Sequence, residues 1–579
     1  MRTYRTFLFA LCATLIGGCG DRAGEKGNRG TSASDLIRIN QVGYFPSLEK
    51  QFTVAGRLAE EFLLEDQTGR EVFRGRLSDG GLWAPSGEYL KTGNFSGFDK
   101  EGTYFLSVPG TGRSQPFKIS DRIYRQAAVD AMETFFFMRA SMDMEEKYLG
   151  KFSRRGGHPD DTCYYHESTG HTGGFRSSPG GWYDAGDYGK YIVNASVSTG
   201  TMLALYEGMP EVFKDGTLDI PEAGNGLNDL LDELRYEFDW VLTMQDKDGG
   251  VFHKLTPLQH DGISMPHETH SKRYIIGKST AASLDLAAML AQASRIYRPH
   301  DKDFSDRSLE AARRAYAWAL ENPDRYFTNP PDVGTGGYGD RSLDEEFFWA
   351  AAELYCTTGD QEYYEAVKPA LGNIRFRLTE SWRNYVDNIG YYSLCGSNRL
   401  PEGDRNIVRE GILRLASDLI EAARENPYGI PVSHFGWGSN SDVLNTAIVE
   451  IVAHRITGDK KYLDAAAMFT DYIFGRNATG YSFVSGYGTR SSRNFHHRLL
   501  MADENDETFP GYVAGGPNGD MQDRANLARA GTSYTDKSEA KAYIDHSGSY
   551  ASNEICINWN APLVFVLAYL DGQQRNRDN

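Results

Sequence analysis

The sequence predicts a multidomain chain, a small all-β sandwich followed by a much larger all-α toroid. Three observations carry this. At 579 residues the chain exceeds one ordinary domain. Between Leu36 and Ser120 it breaks into short strand-like runs separated by Gly, Pro, Asp and Ser. From Arg122 onward, apolar residues recur at helical spacing, with long glycine-rich connections and no fixed repeat period.

Taken in order, Arg2 and Arg5 precede an apolar run, Phe7 to Ile16, that is too short to span a bilayer as a mature helix. Gly17, Gly18 and Cys19 follow, and residues 1–19 read as an export signal. Residues 20–34, rich in Gly, Ser, Arg and Asp, read as a flexible tether. The sandwich is expected over 35–120, with strands around Ile37–Ile39, Phe52–Val54, Phe62–Leu64, Val72–Phe73, Tyr104–Leu106 and Phe117–Ile119. Helices are expected within 121–579, at about 122–148, 188–208, 226–245, 278–297, 303–321, 343–357, 361–379, 406–425, 440–457, 460–475 and 554–570.

Composition narrows the partners. An apolar content of 40% supports a large core, and 12% aromatics, with 34 Tyr, supply faces that stack on sugar rings. A formal net charge of -18 argues against nucleic acid and anionic lipid, which both need basic patches, and is compatible with a neutral polymer. Beyond the leader, Cys163, Cys356, Cys395 and Cys556 allow three pairings or free buried thiols. No CxxC pair supports a structural zinc cluster.

Two stretches carry chemistry. In Gly180-Gly181-Trp182-Tyr183-Asp184-Ala185-Gly186-Asp187-Tyr188-Gly189-Lys190-Tyr191, two carboxylates lie at a helix entrance, where amide donors and the helix dipole favour ionised groups. The bland reading is a helix cap, but a cap needs one Asp and not the paired aromatics and glycines. Far downstream, Glu554 stands in Tyr550-Ala551-Ser552-Asn553-Glu554-Ile555-Cys556, either as a first-turn residue or as an acid held protonated by partial burial. Two such carboxyls, one ionised and one protonated, can serve as a general base and a general acid.

The first stretch resembles the nucleophile-water motif of glycoside hydrolase family 9, the inverting cellulase family. The Glu554 block looks like that family's second signature. Gly486-Tyr487-Gly488-Thr489-Arg490 with Phe495-His496-His497-Arg498 resembles its substrate-binding signature, although Phe495 replaces a usual Pro or aliphatic residue. Gly515-Gly516-Pro517-Asn518 also fits. Ile39 to Tyr44 resembles the opening of the immunoglobulin-like module found in some members, and Ile16-Gly17-Gly18-Cys19 resembles a bacterial lipobox.

The resemblance, which covers nearly all of 36–572, implies an immunoglobulin-like sandwich followed by an (α/α)6 barrel of twelve helices. It implies Asp187 as general base, Asp184 as the group that helps hold the water and Glu554 as general acid. Chemistry alone does not choose between the two Asp residues, which titrate as a pair. His496 and Arg498 are implied as substrate ligands, joined by Trp182, Tyr183 and Tyr550. The implied reaction is endo-cleavage of β-1,4 bonds in a β-glucan: cellulose, mixed-linkage glucan, xyloglucan or glucomannan. Long loops at 246–277 and 380–405 could instead block one end of the cleft and give exo action on glucoside or glucosamine oligomers. The contrasting class is a non-catalytic glycan-binding lipoprotein, which would normally have lost an acid or base.

No cofactor is implied for the chemistry. Thr335 to Asp340, with Asp344, Glu345 and Asp387, resembles the family's calcium region, an oxygen-rich set that suits structural calcium. A zinc held by some members is expected to be absent, because Ala140 and Tyr183 stand at ligand positions and Cys163 is followed by Tyr164. Cys19 is implied as a lipidated residue, anchoring an exported protein at the outer membrane, cell surface or periplasmic side.

Overall fold

A computed structural model describes residues 33–372 and 386–575. The export leader, Cys19 and residues 20–32 of the tether lie outside the described residues. Ser34, expected in the tether, already donates its amide to the Arg113 carbonyl at 2.8 Å.

The N-terminal domain contains nine strands: β1 (Ile37–Arg38), β2 (Gly43–Tyr44), β3 (Gln51–Ala55), β4 (Glu61–Asp66), β5 (Glu71–Trp83), β6 (Glu88–Asn94), β7 (Gly102–Val108), β8 (Gly112–Arg113) and β9 (Phe117–Ile119). Their order is β1-β3-β6-β5-β4-β7-β9-β2, with β8 on β7. The long β5 pairs with both β4 and β6, so it links the two layers. Alternation aims Phe52, Val54, Phe62, Leu64, Leu106 and Phe117 into one apolar cluster.

Twelve helices of ten or more residues follow among the described residues. Ile192–Gly208, Thr280–Tyr297, Asp344–Thr358, Asp387–Gly396, Ser439–Thr457 and Ile557–Arg575 are buried along most of their length. The alternating members show one buried stripe. In Lys302–Glu321 that stripe is Phe304, Ser308, Ala311, Ala312, Ala315 and Ala319. A helix that is apolar all round must sit inside and a one-sided helix outside, so the alternation in sequence builds a double ring. The ring has one helix the sequence reading missed. Asp387–Gly396 falls in a span read as loop; it is only ten residues long and holds two Gly and two Tyr, so it lacks a legible stripe. No helix among the described residues is long and apolar enough to cross a membrane.

The two domains share a polar seam. Asn40 Nδ2 donates to Tyr124 Oη at 2.6 Å and to Asp471 Oδ1 at 2.8 Å, while its Oδ1 accepts from the amides of Val42 and Gly43. Arg476, 1% exposed, donates to Gln51 and Thr53 of β3. Cys163, Cys356, Cys395 and Cys556 are free and buried.

A second, five-stranded sheet forms among the barrel's long connections, in the order β11-β10-β14-β13-β12. Its strands are β10 (Cys163–Tyr165), β11 (Phe175–Arg176), β12 (Lys190–Tyr191), β13 (Phe252–Thr256) and β14 (Tyr274–Lys278).

Candidate active site

The loop before β12 is held from beneath by a buried cation. Lys190 Nζ donates to the carbonyls of Ser178 at 3.1 Å and Gly180 at 2.7 Å and pairs with Asp160 at 2.8 Å. Gly180 and Gly181 both have left-handed φ, 80° and 77°, and a Cβ on Gly181 would lie 2.7 Å from the Trp240 ring. The glycine pair thereby lets the chain turn against the core and re-emerge with Asp184 and Asp187 at the mouth of the barrel.

Asp184 is 1% exposed. Its Oδ1 accepts from Asn194 Nδ2 at 2.7 Å and its Oδ2 from the Tyr338 hydroxyl. Burial, and then the Asp187 charge, push its carboxyl up to about 7. Asp187 is 8% exposed and lines the cleft. Burial would raise it too, but His260, Arg498 and Tyr191 outweigh burial and hold it down at about 2. Tyr191 donates to Oδ2 at 2.9 Å, and His260 Nδ1 lies 3.3 Å from the same oxygen.

Glu554 reaches the same cleft from the other end of the chain. It accepts from the Gly186 amide at 3.2 Å, and its carboxyl is pushed well above the usual range, by burial first and then by the Asp187 charge. Gly186 is glycine for a steric reason, since a Cβ there would lie 2.5 Å from the His496 carbonyl oxygen and 2.7 Å from Glu554 Oε1. His496 and Glu554 form a parallel bridge. The His496 Nδ1 lies 2.7 Å from the Ser547 carbonyl, which can only accept, so Nδ1 carries the proton and Nε2 is an acceptor. Arg498 spans the mouth, donating from Nη1 to the Gly186 carbonyl at 2.7 Å and from Nε to the Asp261 carbonyl at 2.8 Å.

Two adjoining hollows of about 340 and 220 Å³ share Ala185, Gly336, Tyr338, Trp437 and Glu554. The larger also contains Asp187, His260, His496, Arg498 and Tyr550. Trp437 and Tyr550 face it as an aromatic pair with ring centres 5.6 Å apart. An ionised carboxylate and a protonated one thus open into a single aromatic-walled groove, the pairing that one-step displacement at a glycosidic carbon requires.

The family profile described as glycosyl hydrolase family 9 matches residues 124–567, and that of a cellulase N-terminal ig-like domain matches residues 32–113. The chain belongs to glycosyl hydrolase family 9. It is a glycoside hydrolase, with an immunoglobulin-like sandwich ahead of an (α/α)6 barrel. It is 39% identical to a xyloglucan-specific endo-β-1,4-glucanase of Bacteroides ovatus, over 93% of this chain and 94% of that protein. It is 32% identical to endoglucanase D of Acetivibrio thermocellus, over 92% of this chain and 83% of the other. A solved family 9 structure from Bacteroides ovatus superposes with a TM-score of 0.86 at 37% identity, covering 93% of this chain and 99% of that one.

Within this family 9 site, Asp187, Glu554, His496, Arg498 and Tyr550 come together as the sequence predicts, with Asp184 directly behind them. Two expected sugar ligands do not. Trp182 is 1% exposed and its Nε1 donates to Glu233 at 2.8 Å; Tyr183 is wholly buried with its hydroxyl 2.8 Å from His158 Nδ1. Both are core posts of the loop, because the turn at Gly181 rotates their rings inward.

Of the expected calcium set, Asp340 and Glu345 lie close enough to influence each other and Asp387 is buried. Asp344 is exposed, whereas Glu345 and Asp340 are drawn toward buried Asp285 and Glu346. Burial and mutual repulsion push Asp340 up to about 7 and hold Asp285 and Glu346 well above the carboxylate range. Among the described residues no three His, Cys, Asp or Glu side chains converge on an ion position. His260, Asn194, Tyr338 and Trp437 were absent from the sequence-predicted site. Each arrives on a separate loop or helix; His260 stood in the 246–277 connection and Tyr338 in the Thr335–Asp340 stretch, both singled out there for other reasons.

Proposed function

We propose that this chain is an inverting endo-β-1,4-glucanase in which Glu554 protonates the leaving oxygen and Asp187 takes the proton from the attacking water. The observation that carries this reading is the opposite electrostatic bias of two carboxyls opening into one groove. Burial keeps Glu554 protonated at neutral pH. Asp187 stays ionised because two donors converge on its Oδ2, which leaves Oδ1 for water. Asp184, whose Oδ1 serves Asn194 and the Cys556 thiol while Oδ2 keeps a lone pair beside the Tyr338 hydroxyl, steadies that water from behind. His496 Nε2 accepts a sugar hydroxyl, Tyr550 and Trp437 stack on ring faces, and Arg498 holds Gly186 and the Asp261 loop in register.

Xyloglucan is the first substrate to try, since that is what the Bacteroides ovatus relative's name specifies, followed by unbranched β-1,4-glucans. Glu554→Gln should abolish polymer hydrolysis while leaving the fold intact, and fresh product should carry the α-anomer by NMR. A β-anomer, or wild-type rates in Glu554→Gln, rules the assignment out. The leader supports export with Cys19 lipidated; in vivo labelling with a fatty acid should disappear in Cys19→Ala.

A further inference from the structure

The five-stranded sheet beside the cleft carries aromatic side chains that catalysis leaves unused. Tyr164 of β10 is directly opposite Phe175 of β11 and in parallel register with Tyr274 of β14. Directly paired residues project from the same face, so the three rings form a row across three successive strands. Phe175 is 62% exposed and Tyr164 38%, and Tyr274 is half-buried. Their chain neighbours Cys163 and Ile275 point to the opposite face and are fully buried. The exposed side is therefore set by strand alternation, as any slip of register would bury these rings.

The row shares its sheet with the catalytic groove and is separated from it by the loop carrying Thr335, whose hydroxyl covers Thr256, the β13 residue paired with Tyr274. The far edge of the same sheet is β12, whose Tyr191 holds Asp187. Tyr274 also packs against the Phe327 and Val333 cluster, in the segment that runs on to Gly336 and Tyr338 in the groove wall.

We propose that Phe175, Tyr164 and Tyr274 form a second glycan platform outside the catalytic hollow, on which consecutive sugars of a β-1,4-glucan chain stack. The Tyr164 and Tyr274 ring centres lie 6.1 Å apart with their planes tilted by 44°, a spacing of the order of one sugar's advance in an extended β-1,4 chain, so these neighbouring rings meet neighbouring residues of a twisted chain. The strip is one side chain wide, whereas a protein partner would need roughly 800 Å² from each side. Lys272 Nζ, 5.3 Å from the Tyr164 ring centre, adds a donor for sugar hydroxyls. The platform holds polymer on the outer side of the loop whose Gly336 and Tyr338 line the groove. It does no chemistry.

This inference rests on the β-glucan reading above, and its test separates the two. In a Glu554→Gln background, Tyr164→Ala with Phe175→Ala should weaken retention by xyloglucan or mixed-linkage glucan in native affinity gels by roughly fivefold to tenfold. Tyr164→Trp alone should preserve retention. In the active enzyme the paired alanines should lower kcat/KM on polymer and leave it unchanged on cellotetraose. Unchanged retention, or an equal loss on polymer and cellotetraose, overturns the platform. If the unmodified enzyme cleaves no β-glucan, the catalytic reading falls, and gel retention still judges the platform.

Discussion

At the residue scale, the decisive contact is the one His260 makes with Asp187 Oδ2. Removing it takes away the strongest influence that holds Asp187 low. Asp187 in His260→Ala should then titrate at higher pH, so the acidic limb of the kcat/KM profile should move upward. The basic limb belongs to Glu554, whose proton is kept by burial, and should stay in place. A profile shifted only on its basic side would contradict the assignment of the two carboxyls. The Asp residues and Glu554 were legible because each stands in a dense local motif. His260 was not, because its function depends on a loop folding back across the groove, which leaves no periodic trace. Trp182 and Tyr183 were misread for the converse reason. Aromatics in a catalytic motif look like sugar ligands until a pair of left-handed glycines shows which way they turn.

At the element scale, Gly186 is where the two halves of the site touch. Its amide serves Glu554 and its carbonyl serves Arg498. Gly186→Ala should therefore cost at least ~100-fold in kcat, because displaced groups of this kind act through position, with overpacking of about 1–3 kcal/mol in stability. Circular dichroism should show a folded protein. Near-normal turnover would mean that Glu554 is not confined as described. The helices themselves were legible from spacing alone wherever a stripe or a long apolar run existed. Asp387–Gly396 and the sheet of β10 to β14 were not, since strands of two to five residues in long connections are fixed by their partners and not by their own pattern.

At the scale of the whole molecule, the sandwich is bound to the barrel by buried polar groups that only the other domain can satisfy. Asn40→Ala would leave Tyr124 and Asp471 each short of a partner and should cost about 1–3 kcal/mol, read by urea unfolding. The same seam predicts that sandwich and barrel melt in a single calorimetric transition. Two resolved transitions would show that the domains stand independently. The order of the domains was legible in the sequence. Their interdependence was not, because Asn40 and Asp471 are 431 positions apart.

The four cysteines of the folded body have a practical consequence. Burial pushes Cys163 and Cys356 up to about 12 and Cys395 up to about 11, and holds Cys556 well above the usual thiol range, so almost none is thiolate at neutral pH. The native enzyme should consequently mature without any oxidising catalyst and ignore alkylating reagents. Each sulfur becomes reactive only when its own neighbourhood opens, so mass-resolved alkylation over time provides a built-in clock for local opening at four separate places in the barrel.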